Sequence, residues 1–198
     1  MTSFNAFGQT ARDYKDLHVP VWLGNVTTVP VGGVLAKAFI KKGAHYPAGT
    51  SINITDGVIT PVLAYKIKST STNTHTVSPV CNIMPEKNDK FYKLGDTFDA
   101  TTTAQATAVA VKNGDIEITV ELSGAKQNDV LILGDKVPNA YLYNDIYIGD
   151  LDTSLDTAGA TGAAVMFHSE GILIDRTPAA DVAAQMAAAV PGVLQVNG

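Results

Sequence analysis

Residues 109–122 read Val109-Ala110-Val111-Lys112-Asn113-Gly114-Asp115-Ile116-Glu117-Ile118-Thr119-Val120-Glu121-Leu122, and this stretch decides the fold class. Ile116, Ile118, Val120 and Leu122 alternate with Glu117, Thr119 and Glu121. A period of two puts one face of a strand on a core and the other in water. Asn113-Gly114 supplies the residues that a tight hairpin turn prefers. An antiparallel hairpin is predicted here.

The same grammar extends in both directions. Asp56-Gly57 separates Ser51-Ile52-Asn53-Ile54 from Val58-Ile59-Thr60-Pro61-Val62-Leu63, a second hairpin signal. Val130-Leu131-Ile132-Leu133 is a short apolar run, and Tyr141 to Ile148 and Gly171 to Arg176 read as further strands. Residues 70–76 read as a polar loop. Val77 to Pro85 reads as an edge strand, because its prolines cannot donate to a ladder. One helix is expected near the C-terminus, with Thr177 as N-cap, Pro178 at the first helical position, and Pro191-Gly192 as the stop. Val193 to Val196 is read as a last short strand. The fold class is therefore mainly β, an antiparallel β-sandwich or barrel-like domain with a short C-terminal α-helix. The absence of βαβ alternation speaks against a parallel α/β enzyme.

Composition narrows the partners. The formal charge is −5, and Lys41-Lys42 is the densest positive spot, so nucleic acid is not an expected partner. No apolar run reaches the roughly 18 residues of a membrane span. The opening residues lack a charged segment followed by an apolar one, so no signal peptide is expected and synthesis in the cytoplasm is. Residues 1–18, with Tyr14 inside the charged group Arg12 to Asp16, read as an N-terminal arm ahead of a β-rich domain over 19–198.

Few residues in the sequence carry a chemical motif. His18, His45, His75 and His168 are isolated in sequence, without zinc-ligand spacing. Cys81 sits in an apolar stretch and reads as a small buried hydrophobe. His168-Ser169-Glu170 cannot form a triad on one strand, because neighbours point to opposite faces. Asp150, Asp152 and Asp156 form the best metal candidate, yet the segment lacks the glycine and glutamate of an EF-hand and reads as a solvated loop. No catalytic residue, metal or cofactor is assigned. Tyr141, Tyr143 and Tyr147 share one parity, so a regular strand would place them on one face, either as core or as a tyrosine-rich interface. With Tyr14 they are the candidate partner-binding residues.

The segment Ala140-Tyr141-Leu142-Tyr143-Asn144-Asp145-Ile146-Tyr147-Ile148, followed by Thr161-Gly162-Ala163-Ala164-Val165-Met166-Phe167-His168-Ser169-Glu170-Gly171-Ile172-Leu173-Ile174, resembles the tailed-bacteriophage head decoration and head-fibre-base proteins. Lys42-Gly43-Ala44-His45-Tyr46-Pro47-Ala48-Gly49-Thr50 is similar to a turn of those proteins, and 178–196 to their short helix and tail. Residues 69–126 have no counterpart there and read as an inserted hairpin or subdomain. The resemblance implies a non-enzymatic auxiliary capsid protein on the capsid exterior of the virion. Its partner would be the major capsid protein, its assembly often a homotrimer, and its role to stabilise the shell or anchor a head fibre. The competing readings are a receptor- or glycan-binding adhesin module and a hydrolase using a carboxylate pair such as Asp150 and Glu170.

Overall fold

The structure, a computed structural model, describes residues 21–30, 32–148, 161–162 and 164–197, those from 161 to 170 by backbone alone. Its strands in chain order are β1 (Trp22–Thr28), β2 (Gly33–Leu35), β3 (His45–Tyr46), β4 (Ser51–Thr55), β5 (Val58–Pro61), β6 (Ala64–Ser71), β7 (Thr74–Val77) and β8 (Lys90–Lys93). They continue as β9 (Ala104–Gln105), β10 (Ala108–Lys112), β11 (Asp115–Thr119), β12 (Val130–Leu133), β13 (Ala140–Leu142), β14 (Ile146–Tyr147), β15 (Thr161–Gly162), β16 (Ala164–Leu173) and β17 (Val193–Val196). Among the described residues one α-helix, α1 (Ala183–Ala189), lies before the last strand. The mainly β fold with one short C-terminal helix is as the sequence reads.

Two large sheets carry the molecule. The first runs β1-β16-β13-β4-β5-β2-β15, with β17 added parallel to β16. The second runs β10-β11-β7-β6-β12-β8-β9. Most pairs are antiparallel; β2 with β5 is a second parallel one. Residues 69–126 contribute β7 to β11, and in the second sheet β6, partly outside that range, and β12, wholly outside it, are inserted between β7 and β8.

The hairpins form where the turn chemistry asks for them. Asp56 and Gly57 have φ of 51° and 75°, and Asn113 and Gly114 have 53° and 84°, the left-handed pair that a two-residue turn requires. Along β11 and past its end the alternation is realised in full: Ile116 and Ile118 are buried within the strand, and Val120 and Leu122 beyond it. Their partners lie far along the chain, since Ile116 pairs Val77 and Ile118 pairs His75.

Burial explains why some strands alternate and others do not. One core packs Leu35, Ile52, Ile59 and Leu142 of the first sheet against Ile67, Val77, Ile116 and Leu131 of the second. A second core gathers Val62, Val130, Ile132 and Tyr141 with Val182, Met186 and Val190 of the C-terminal segment. β12 sits between them, Leu131 and Leu133 in one core and Val130 and Ile132 in the other. A strand buried on both faces has no polar face, hence the unbroken apolar run. Val182, Met186 and Val190 recur at four-residue spacing, so one side of the helical segment closes the second core.

Three local expectations are corrected. Residues 70–76 do not form a loop: β6 and β7 make a hairpin there, Thr70 opposite His75 and Ser71 opposite Thr74, turning at Thr72 with φ 55°. β-branched threonines suit a half-buried pleated surface, which a polarity count overlooks. Val77 to Pro85 is not an edge strand either. β7 ends at Val77 and lies inside the sheet, and the chain then leaves it through a turn closed by Ile83 N–H on Val80 O at 2.9 Å. The helix starts later than Pro178. Thr177 Oγ1 accepts the Ala179 N–H at 3.3 Å, a 3₁₀ turn follows at Ala180–Val182, and only then does α1 begin.

Candidate functional site

Residues 44–50 and 142–148 are hydrogen-bonded to each other along their length. Leu142 N–H donates to Thr50 O, Gly49 N–H to Leu142 O, and Ile148 N–H to Ala44 O, each at 2.8 Å. β14 pairs with β3 in a separate small sheet, Ile146 opposite Tyr46 and Tyr147 opposite His45. Asp145 locks the junction. Its Oδ1 accepts the Ala48 N–H at 2.8 Å, and its Oδ2 lies 2.9 Å from His45 Nε2. Gly49 is required here twice over: its φ is +83°, and a Cβ would stand 2.7 Å from Val21 Cγ1 and 2.8 Å from Thr177 Cγ2.

The tyrosines that shared a parity do not share a face. β13 ends at Leu142, and the chain bends through Tyr143-Asn144-Asp145 before β14, so no regular strand connects them. Tyr141 is 1% exposed and points into the second core, its hydroxyl accepting from Gln195 Nε2 at 2.9 Å. Burial pushes that hydroxyl up to about 12, against the opposing pull of Gln195. Tyr143 is 36% exposed and Tyr147 is 64% exposed. Tyr14 lies outside the described residues.

Two residues complete this corner that strand parity did not reveal. Trp22 at the start of β1 donates its indole Nε1–H to Tyr143 O at 3.1 Å. Its ring meets Tyr141 edge-on at 6.1 Å and Tyr143 at 6.2 Å. His45 meets Tyr147 edge-on at 6.0 Å. The signal in the sequence was the lone tryptophan, but its partner lies 121 positions away, and only the fold brings them together. The result is two groups of aromatic rings on the joined segments, Trp22 with Tyr141 and Tyr143, and His45 with Tyr147, and of these Tyr147 faces solvent most.

Beside His45 lies an open groove of about 420 Å³ lined by His45, Pro47, Cys81, Asn82, Arg176 and Pro178, with Pro79. It adjoins a second groove of about 680 Å³ that shares Pro79, Cys81 and Pro178. There Lys66 pairs with Asp181 at 3.1 Å. Cys81 and Asn82 both occupy the left-handed region, with φ of 55° and 52°. The Cys81 thiol is pushed up to about 12 by burial, outweighing the hydrogen bond with Thr50 that favours the thiolate. Burial thus favours the thiol over the more nucleophilic thiolate. His75 is buried in the second sheet with Nδ1 3.2 Å from Thr70 Oγ1. Among the described residues no group of three or more His, Cys, Asp or Glu is placed to hold a metal ion. Asp150, Asp152 and Asp156 lie outside those residues, as do the side chains of His168 and Glu170.

The chemistry of this corner is that of apolar rings with polar edges, the side chains that protein interfaces favour. Aromatic side chains with few rotatable bonds, held by backbone and carboxylate hydrogen bonds, lose little freedom on binding. No helix among the described residues is long and apolar enough to cross a membrane. Comparisons with protein-family models, with curated proteins and with solved structures each find no match to this chain.

Proposed function

We propose that this protein is a non-enzymatic structural component of a tailed-phage virion that binds the capsid exterior through its aromatic corner. Its partner is the major capsid protein, and its effect is to stabilise the shell or to anchor a head fibre. The observation that carries the reading is the meeting of two separated stretches. Residues 42–50 and 140–148 both enter the resemblance to head decoration and head-fibre-base proteins, and they hydrogen-bond to each other around Asp145. Their junction presents Tyr143 and Tyr147 at the surface. Many weak contacts of this kind, repeated over a particle, stabilise it by mass action and avidity.

Mass spectrometry of density-purified virions gives the first test, as the copy ratio of this chain to the major capsid protein. A near-stoichiometric ratio is expected for shell decoration, a small one for a fibre base; absence from clean virions overturns the proposal. The double variant Tyr143→Ala, Tyr147→Ala is expected to remain folded and to lose binding to bare capsids. A glycan-binding role is favoured by one observation, the exposed Tyr147 ring beside the groove at His45. Retention on a glycan array that Tyr147→Ala abolishes would select it instead.

A further inference from the structure

The open edges of the two large sheets are not alike. Exposed edges invite pairing with another chain, and proteins blunt them with short strands, bulges, charges or proline. β9 and β15 are two residues long. β1 is longer, but its register with β16 shifts twice. β17 also pairs β16 with a shifted register. β10 has none of these devices within its own length, although just before it Thr107 N–H also donates to the O of Thr119, the partner of Ala108. Its five residues, Ala108-Val109-Ala110-Val111-Lys112, pair β11 in unbroken register, with one charge, at the end.

β10 also leaves the main core unfinished. Cross-strand partners share a face, so Ile67, Val77, Ile116 and Val111 form one row over four neighbouring strands. The first three are fully buried and Val111 is 61% exposed. The row ends in an apolar side chain on the core side of the sheet that stays mostly exposed among the described residues.

The backbone has the matching pattern. A two-residue turn closes on a hydrogen-bonded pair, here Lys112 with Asp115. Ala110 with Glu117 and Ala108 with Thr119 follow as the other bonded pairs, because bonded and non-bonded positions alternate. The N–H and C=O groups of Val109 and Val111 therefore point away from β11 into the open edge.

We infer that β10 is a homotypic docking edge, which pairs antiparallel with β10 of a second copy of this chain about a two-fold axis at Ala110. In that register Val109 and Val111 of one copy exchange backbone hydrogen bonds with Val111 and Val109 of the other, so every outward group named above is satisfied. Val111 comes to lie beside the other Val109, and the apolar row continues across the seam. Lys112 faces Ala108 of the second copy and not its own counterpart, so no like charges meet. The contact is isologous and closes at two copies, in contrast to the trimer that the phage resemblance implies. Five residues a side place it at the small, transient end of interfaces, below about 1,200 Å², so the dimer is concentration-dependent. The inference does not depend on what the aromatic corner binds, and purified protein alone tests it.

Sedimentation analysis over a rising concentration series is expected to show a reversible monomer–dimer equilibrium. Val111→Lys and Val111→Pro should each abolish it while circular dichroism stays unchanged, the first by charging the seam and the second by removing an outward donor. Leu194→Lys, at an equally exposed apolar residue on β17, should leave it intact. Amide exchange at Val109 and Val111 should slow as concentration rises. A protein that stays monomeric to millimolar concentration overturns the inference, as does a dimer that survives Val111→Pro or leaves those two amides unprotected.

Discussion

The hairpin at 108–119 and the corner at Trp22, His45 and Tyr143 are both built around left-handed turns, yet they are made in opposite ways. In the hairpin each strand finds its partner across two residues, and Gly114 has open space where a Cβ would go. In the corner each contact joins distant parts of the chain, and Gly49 is wedged between Val21 and Thr177. The difference teaches that a positive-φ glycine can be a purely local device or a packing requirement. Only its tertiary neighbours tell which.

Substituting the two glycines gives the sharpest test. Gly49→Ala combines left-handed strain with a clash against two packed side chains, and is expected to cost about 2–5 kcal/mol in a denaturant titration. If the loss is no larger than that at Gly114, packing does not distinguish the regions. Asp145→Ala removes the acceptor for Ala48 N–H and His45, with an expected loss of about 1–3 kcal/mol and weaker near-ultraviolet circular dichroism from the tyrosines around it. Gly114→Ala carries strain alone, about 1–2 kcal/mol. Tyr147→Ala, at a mostly exposed ring, should change stability by less than about 0.5 kcal/mol; a larger loss would mean the ring supports the corner and is not free for a partner.

The second sheet also holds a residue, His75, whose titration makes stability depend on pH. Burial, the largest influence, holds the His75 imidazolium below its usual range, against the opposing pulls of the Val120 backbone and Asp129. The folded state thus disfavours the protonated ring. His75 imposes no penalty above the unfolded value near 6.5, and stability falls as pH drops from there through the lowered folded value. Denaturant midpoints at pH 7.5 and 5 should show this fall, and His75→Thr should flatten it.

Much of this architecture was legible in the sequence. Alternation over 116–122, the Asn113-Gly114 and Asp56-Gly57 turns and the apolar run at 130–133 are local signals with local causes. The sequence misled where the deciding partner was remote. Thr70 and Thr74 look like loop residues until β11 is placed beside β7. Tyr141 and Tyr147 look like one face until Asp145 is seen holding His45 and Ala48, which turns the chain between them. Trp22 gave no sign of Tyr143, because their bond depends on β1 lying against β16 and β16 against β13.

Trp22 has a consequence for observing the molecule. It is the only tryptophan in the chain, and two tyrosine rings stand about 6 Å from it. Intrinsic fluorescence therefore reports from one place, with tyrosine excitation feeding the indole by energy transfer. A red shift in emission marks the release of Trp22 from Tyr143, while far-ultraviolet dichroism follows the strands of both sheets. Recorded together during unfolding, the two signals separate the opening of the corner from the loss of the fold.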